Sequence, residues 1–255
     1  MISLKNADEL QRMRVAGKIS AQALRLAGEL VKPGVSTAAI DKQVEEFIRS
    51  QGAVPSFLGY GGFPASACIS INNEVIHGIP SRKRIIREGD IVSVDVGAVK
   101  NGFHGDNAGT FMAGEISEEA KRLLAVTHES LYEGIRAAVA GNRIGDISAA
   151  VQNYVEAAGF DVVTDYVGHG IGRDMHEEPE VPNFVGRTRG VRLLPGMTIA
   201  IEPMVNAKGR GVRRLRDGWT VVTMENSLSA HFEHTIAITP TGPVILTDPD
   251  WESGE

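Results

Sequence analysis

The sequence predicts an α+β fold in which two halves with pseudo-twofold symmetry share one antiparallel β-sheet core. The first half contains two stretches of helical periodicity followed by strand-like sequence, and the second half repeats this order at an offset of 107 residues. The same offset aligns two apolar strands that each end in a carboxylate, Asp95 in GDIVSVD and Glu202 in GMTIAIE. We therefore expect a single domain over residues 1–255, with halves at about 6–112 and 117–239.

The first half is expected to begin with two helices. Asn6 and Glu9 have the spacing of a capping box, which predicts a helix start, and the Pro-Gly pair at 33–34 predicts its end. A second helix is predicted to begin near Thr37 and to end at Gly52, because glycine suits a left-handed C-terminal cap.

Strand-like sequence follows from Val54 to Met112, and the helical pattern then restarts. Ser117 predicts the start of a third helix, a fourth ends before Gly159, and strand-like sequence continues to about Ile238. Coincidental helical periodicity is the alternative to duplication, but a shared register that extends to a carboxylate favours duplication. The helix and turn positions that match across the offset are Gly34 with Gly141, Ile40 with Ile147, Val44 with Val151, Phe47 with Tyr154, Ile48 with Val155 and Gly52 with Gly159.

Composition restricts the class of protein. The net charge of −6 is ordinary, and 42% hydrophobic residues are too many for a disordered chain and enough for a large core. The single cysteine, Cys68, excludes a disulfide framework and a multi-cysteine zinc site. Residues 1–14 lack the apolar core of a signal peptide, and no stretch approaches the ~18 apolar residues of a membrane span. We therefore expect a soluble cytoplasmic protein.

Two carboxylates are predicted to converge on one β-hairpin. The segment IVSVDVGAVKNGFHGDNAGTF contains Asn101-Gly102, a dipeptide that favours a tight hairpin turn. With this turn, Asp95 pairs with Ala108, and Asp106 lies two residues away on the same face of the sheet. Because Asp95 lies in an apolar strand, its charge requires a compensating cation.

Metal ions are the predicted compensating cations. Glu202 is expected opposite Asp95 by symmetry, and the strand FEHTIAI offers Glu233, whereas the local segments contain no arginine. His169, in the glycine-flanked segment GHGIG, offers an imidazole nitrogen. Oxygen ligands with one imidazole suit Mn²⁺, Fe²⁺ or Co²⁺. Five such ligands, two of them able to bridge, imply two ions ~3.5 to 4 Å apart that activate water for hydrolysis.

The motifs resemble those of the bacterial type I methionine aminopeptidases, which have the pita-bread metallopeptidase fold. The matching segments, which extend over nearly the whole chain, are NNEVIHGIP, VSVDVGA, NGFHGDNAGTF, GHGIGRDMHEEP, AIEPMV and EHTI. The resemblance implies removal of the initiator methionine from nascent proteins whose second residue is small, with two divalent metal ions as cofactors.

The resemblance also implies a role for each matching residue. Asp95 is implied as a bidentate ligand of one metal, Asp106 and Glu233 as bridging ligands, and His169 and Glu202 as ligands of the other metal. Glu202 is additionally implied to move a proton.

Substrate contacts are implied in the same way. His77 and His176 are expected to contact the substrate amide and to stabilise the tetrahedral intermediate. Phe57 and Met175 depart from the family pattern, in which a cysteine and an aromatic residue are often found, and this bears on the size of the pocket. The implied methionine pocket consists of Tyr60, Phe63, Cys68 and Trp219, together with the two histidines.

Other functions agree less well with the sequence. A broader or proline-specific aminopeptidase of the same fold is disfavoured because the chain lacks the additional N-terminal domain of the prolidases. A non-catalytic ribosome- or RNA-binding relative is disfavoured because all five ligands are present. A thiol nucleophile at Cys68 has no identified base. His128 is expected on a helix surface, whereas His104, His231 and His234 are candidates for supporting the metal ligands.

A basic segment separates Glu202 from Glu233. Such a run is usually a solvated hairpin, but an enzyme acting on nascent chains could use it for weak docking to ribosomal RNA. We expect a monomer, no DNA and no membrane partner. The basic segment consists of Lys208, Arg210, Arg213, Arg214 and Arg216.

Overall fold

Four α-helices occupy the described part of the chain, residues 2–251 of the computed structural model. They form two pairs separated by strands, in the predicted order. No helix within these residues is long and apolar enough to cross a membrane. The helix bounds are Ala7–Leu30 (α1), Thr37–Ser50 (α2), Glu118–Ala137 (α3) and Ile144–Ala157 (α4).

The helix ends follow local capping chemistry. Asn6 Oδ1 accepts a hydrogen bond from Glu9 N, and Glu9 Oε2 accepts one from Asn6 N, both at 3.0 Å, so the predicted capping box of α1 is confirmed. The predicted start of α3 is also confirmed, because Ser117 Oγ accepts a hydrogen bond from Ala120 N at 3.1 Å. Gly52, just beyond α2, has the expected left-handed conformation with φ of +62°.

Strands follow each helix pair. After α2 they are Val54–Pro55 (β1), Ala67–Ile71 (β2), Glu74–Ile76 (β3), Ile91–Lys100 (β4) and Phe103–Met112 (β5). After α4 they are Asp161–Val162 (β6), Gly168–Gly170 (β7), Glu177–Val181 (β8), Thr198–Ile201 (β9), Met204–Asn206 (β10), Val212–Arg214 (β11), Val221–Thr223 (β12), Ser229–His231 (β13), Glu233–Thr239 (β14) and Gly242–Ile245 (β15). Strand β15 lies beyond the predicted limit because the chain turns back and pairs with β14.

The main sheet is antiparallel throughout. Its order is β1-β4-β5-β14-β9-β7-β8, with β2 paired to β4 and β15 paired to β14. Two smaller sheets have the orders β13-β10-β6 and β11-β12-β3. The predicted α+β class with an antiparallel core and two helix pairs is therefore confirmed.

Each helix pair packs against a different part of the main sheet. One buried cluster includes Ile40 and Ile48 of α2 with Val94 of β4. A second includes Ile147 of α4 with Ile236 of β14. Because full burial of an aliphatic side chain contributes about 1.5–3 kcal/mol, these clusters hold the helices to the sheet.

Backbone contacts repeat at the offset found in the sequence. Gly34 N donates to Ile86 O at 2.8 Å, and Gly141 N donates to Leu193 O at 2.9 Å. Both glycines have a strongly positive φ, +91° and +97°, which a residue with a side chain rarely adopts. The two halves therefore use the same turn between the two helices of a pair, and in each half this turn is hydrogen-bonded to the segment that precedes a central strand.

Strand register brings acidic residues together in the middle of the sheet. The hairpin turns at Asn101-Gly102 as predicted, and Asp95 of β4 pairs with Ala108 of β5. On the other side of β5, Ala108 also pairs with Glu233 of β14. Two carboxylates thus flank one alanine, and small side chains between them leave room for a ligand.

Candidate metal centre and substrate pocket

The five predicted metal ligands line a single cavity. Asp95 lies on β4, Asp106 on β5, His169 on β7 and Glu233 at the start of β14, while Glu202 directly follows β9. They come from five strands that are neighbours in the sheet. The predicted convergence is therefore a property of the sheet order as well as of the hairpin.

Short distances separate the donor atoms. One ligand atom from each of Asp106, His169 and Glu233 lies within 4.8 Å of the other two. His169 Nε2 lies 3.8 Å from Asp106 Oδ2 and 3.7 Å from Glu202 Oε1. These separations leave the space between the donors open to a cation.

His169 is oriented by its own backbone neighbourhood. Its Nδ1 donates to Gly170 O at 2.8 Å, so Nε2 faces the carboxylates with a free lone pair. A Cβ at Gly168 would lie 2.4 Å from Ala200 O, and one at Gly170 would lie 2.3 Å from Glu178 O. Glycine on both sides of His169 is therefore required by close strand packing.

Burial strongly perturbs the carboxyl groups. In the absence of metal, burial raises the pKa of Asp95 to about 7 and that of Glu202 to about 8. Burial, followed by the charges of neighbouring carboxylates, raises the pKa of Asp106 and of Glu233 well above the usual range. Burial also lowers the pKa of His169 to about 3, so its imidazole is neutral and able to bind a metal.

The donor set fits divalent metal ions. Asp95 Oδ1, Asp106 Oδ1 and Glu233 Oε1 are buried without a hydrogen-bond partner. Within residues 2–251, no lysine or arginine pairs with the four carboxylates. Buried acceptors without partners carry a large desolvation penalty, which bound cations would offset. Carboxylate oxygens with one imidazole match the preferences of Mn²⁺, Fe²⁺ and Co²⁺.

Apolar side chains form a wall of the same cavity, and one of them, Cys68, pairs with Asp95 across neighbouring strands. Phe63 meets the Trp219 ring edge-on, with ring centroids 5.1 Å apart. Burial raises the pKa of the Cys68 thiol well above its usual range. The thiol therefore stays protonated and contributes apolar surface to the cavity. The wall residues are Tyr60, Phe63, Cys68 and Trp219, as predicted from the family resemblance, together with Phe57 and Met175.

The two predicted catalytic histidines lie at the same cavity. His176 Nδ1 is hydrogen-bonded to the Tyr60 hydroxyl at 2.8 Å, and its ring lies 4.1 Å from the His169 ring. The His77 ring meets Trp219 edge-on at 6.2 Å. Burial lowers the pKa of His77 to about 4 and also lowers that of His176. Both imidazoles are therefore neutral at pH 7.

His231 lies beside the proposed metal ligands, although its sequence context predicts no catalytic role. Its Nε2 is buried without a hydrogen-bond partner and lies 3.5 Å from Glu202 Oε2. The feature of the sequence that points to His231 is its position two residues before Glu233, which predicts support of the metal ligands. His104 and His234 are instead hydrogen-bonded to the Ser56 and Thr247 hydroxyls, while His128 is exposed on α3 as expected.

Known proteins share this fold and these motifs. The model of metallopeptidase family M24 matches residues 11–240 of the chain. The chain belongs to this family. The M24 assignment confirms the class of enzyme that the motifs indicated, a metal-dependent hydrolase that uses divalent ions.

Relatives in the M24 family extend the match. The methionine aminopeptidase of Clostridium acetobutylicum is 56% identical over 97% of this chain and 99% of its own length. The crystal structure of a Thermotoga maritima methionine aminopeptidase is 46% identical, with a TM-score of 0.95 over 97% of this chain and 100% of its own. Prolidase from Pyrococcus furiosus has a TM-score of 0.78 at 24% identity, over 96% of this chain and 65% of its own, which shows the shared fold alone.

We predict that metal-free protein loses thermal stability between pH 6.5 and 8.5. Carboxyl groups whose pKa is raised on folding stabilise the folded state at low pH, and this contribution is lost as the pH rises through about 7 for Asp95 and 8 for Glu202. The melting temperature should fall by roughly 5 °C or more. This range lies above the usual pKa of histidine, about 6.5, so the carboxyl groups dominate it.

Differential scanning calorimetry with and without Mn²⁺ checks this prediction. Saturating Mn²⁺ should remove most of the decrease, and Glu202→Gln should reduce it in the metal-free protein. A melting temperature that stays constant or rises from pH 6.5 to 8.5 in the metal-free protein would contradict the electrostatic account.

Proposed function

We propose that this M24 enzyme removes N-terminal methionine from peptides and nascent proteins, with two divalent ions as cofactors. Asp95, Asp106, His169, Glu202 and Glu233 are the proposed ligands. The observation that carries the proposal is the convergence of these five donors, without cationic partners, on a cavity that also has an apolar wall. Relatives named methionine aminopeptidase, at 56% identity over nearly the full length, support methionine as the residue removed.

The apolar wall accounts for selection of methionine. Aromatic rings and the Cys68 thiol offer polarizable surface to a thioether, and burial of the side chain excludes water. Phe57 and Met175 are 7% and 3% exposed, so both limit the depth of the cavity. A cavity of about 180 Å³ suits one amino-acid side chain. The restriction to substrates whose second residue is small is inferred from the resemblance to the type I enzymes.

Three side chains are proposed to act on the scissile amide. His77 and His176 are neutral, and when the Tyr60 hydroxyl donates to His176 Nδ1, Nε2 carries the proton and donates into the cavity. Donors aimed at a carbonyl oxygen that gains negative charge stabilise the transition state more than the ground state. Glu202 is proposed to accept a proton and return it to the leaving amine.

Divalent ions held by these ligands would supply the remaining chemistry, which is polarisation of a carbonyl and a lowered pKa of water. The donor set accepts Mn²⁺, Fe²⁺ or Co²⁺, and their availability decides which ion acts in the cell. Asp106 and Glu233 would hold both ions, as the resemblance to the type I enzymes implies; each carries an unpartnered buried oxygen, and both have a ligand atom within 4.8 Å of one on His169.

Release of methionine from a Met-Ala-Ser peptide tests the function. We expect no release by metal-stripped protein and release after Mn²⁺, Fe²⁺ or Co²⁺ is added separately. Asp95→Asn should abolish release because it removes a charged ligand, whereas Asp90→Asn is a matched control in a carboxylate outside the cavity that accepts hydrogen bonds from Arg87 N and Asn72 Nδ2. Free methionine is quantified by mass spectrometry, and each variant is analysed for bound metal.

Control peptides separate the competing functions. A Met-Leu peptide should not be cleaved if the second residue must be small. Cleavage of Ala-Pro in place of Met-Ala-Ser would indicate the proline-specific function, and no cleavage with any metal would indicate a non-catalytic relative.

The basic segment is proposed to assist encounter with nascent chains on the ribosome in the cytoplasm, with the enzyme as a monomer. Arg213 and Arg214 are exposed on β11, whose partner β12 begins two residues after Trp219 of the cavity wall. The positive charge of Arg214 contributes to the lowered pKa of His77, so this charge lies near the cavity. Arg210, by contrast, is paired with Glu156.

Charge reversal on β11 tests ribosome docking. Arg213→Glu with Arg214→Glu should strongly reduce co-sedimentation with ribosomes at low salt, because exposed positive charges that contact phosphates are lost. Arg210→Gln is a control outside β11. Loss of the Arg210 charge should change co-sedimentation little, because this charge is already paired with Glu156. Unchanged co-sedimentation of the double variant would eliminate the docking proposal.

A further inference from the structure

His176 lies on a turn that needs support from outside. The residue is exposed, and the segment between β7 and β8, residues 171–176, has no regular secondary structure. The Tyr60 hydroxyl fixes Nδ1 of the ring at 2.8 Å, but this bond does not position the backbone. A displacement of about 1 Å in a catalytic group can cost about a hundredfold in rate, so the backbone of this turn matters for the reaction.

Glu177 organises the turn from its C-terminal side. Its Oε1 accepts hydrogen bonds from Arg173 N at 2.8 Å and from Asp174 N at 3.3 Å. The carboxylate therefore closes the turn directly before His176. Its other oxygen, Oε2, forms an ion pair and a hydrogen bond with Lys5 Nζ.

Lys5 reaches this carboxylate from the N-terminal segment that precedes α1. Its side chain is 2% exposed and that of Glu177 is 13% exposed, so the pair is shielded from water. Lys5 N also donates to Gly196 O at 2.7 Å, which anchors the segment beside the turn that leads into β9. Lysine is almost never fully buried without a specific partner. The carboxylate partner of Lys5 is Glu177, which also closes the turn before His176.

Gly172 shows how closely the turn is packed against this pair. A Cβ at this position would lie 2.5 Å from Glu177 Oε1 and 2.6 Å from Lys5 Nζ. The carbonyl oxygen of Gly172 also accepts a hydrogen bond from His104 N at 2.8 Å. The turn is thus held between the ion pair and β5, and its backbone has little freedom to move.

We propose that Lys5 is a positioning residue for the reaction: through Glu177 it holds the turn that presents His176 to the substrate amide. The N-terminal segment is then part of the active-site framework although it contacts no substrate. This inference rests on the proposed function of His176, and it adds that the Lys5–Glu177 ion pair sets the position of His176. Arg173, on the same turn, pairs with Glu9 at the surface at 3.0 Å and provides a natural comparison.

Lys5→Met in the metal-loaded enzyme tests the proposal by steady-state kinetics on Met-Ala-Ser. We expect kcat to fall by about tenfold or more with a much smaller change in KM, because the turn acts on the transition state. His176→Ala alone should lower kcat by about 10²–10³-fold. In the His176→Ala background, Lys5→Met should cost less than about twofold further, because the two changes remove one function. Lys5→Arg should restore part of the loss.

The matched control is Arg173→Gln, which breaks the exposed ion pair on the same turn. Exposed pairs contribute little, so kcat should stay within about twofold of that of the unchanged enzyme. Mn²⁺ affinity measured by calorimetry should be unchanged in Lys5→Met, since Lys5 contacts no proposed ligand. If Lys5→Met does not fold, Gly172→Ala makes the same test, because its Cβ displaces the pair while both charges remain.

Amide hydrogen exchange gives a readout that does not depend on catalysis. The exchange rates of the backbone amides at positions 173 and 174 should rise at least about tenfold in Lys5→Met. In Arg173→Gln they should stay unchanged. Unchanged exchange, an unchanged kcat, or an equal loss of kcat with and without His176 would overturn the proposal. Failure of the unchanged enzyme to release methionine would instead refute the proposed function. Hydrogen exchange alone would then test whether Lys5 holds the turn before His176.

Discussion

Repulsion among four inward carboxylates is the constraint on which the site depends. Asp95, Asp106, Glu202 and Glu233 all point into one cavity, and burial raises the pKa of each. Without cations, the folded chain must keep protons on these groups or accept the repulsion. With divalent cations, the same arrangement becomes a strong binding site, and the stability that is lost without metal returns as binding free energy. Fold, cofactor and catalysis are coupled through this one cluster.

The sheet makes such an unfavourable arrangement possible. Ala108 pairs with Asp95 on one side and with Glu233 on the other, so strand register sets the spacing of the carboxylates. Two helix pairs bury apolar side chains against different parts of the sheet and offset the cost of the cluster. The apolar wall, which is proposed to select the substrate side chain, lines the same cavity as the carboxylates. His77 and His176, which are proposed to act on the amide, line the same cavity, and Glu177 of the Lys5 ion pair accepts hydrogen bonds from the turn before His176.

Much of this arrangement was predictable from local rules. Asn101-Gly102 specifies a hairpin whose register follows from strand pairing alone, and the duplicated pattern placed Glu202 opposite Asp95. The contributions of His231 and Lys5 were not predictable, because both depend on contacts between segments far apart in sequence. A lysine before the first helix has the pattern of a solvent-exposed residue, and its carboxylate partner lies 172 residues away in the sequence. Strand β15 was missed because its pairing with β14 follows a turn beyond the duplicated region.

Anomalous diffraction from crystals of the protein grown with Mn²⁺ tests the central claim most directly. The claim predicts two peaks inside the cavity, with Asp106 and Glu233 in contact with both, Asp95 with one, and His169 and Glu202 with the other. Calorimetry on the same protein should give two ions per chain. A cavity without manganese at saturating concentration, or one peak that leaves Asp95 or His169 without a metal contact, would contradict the account.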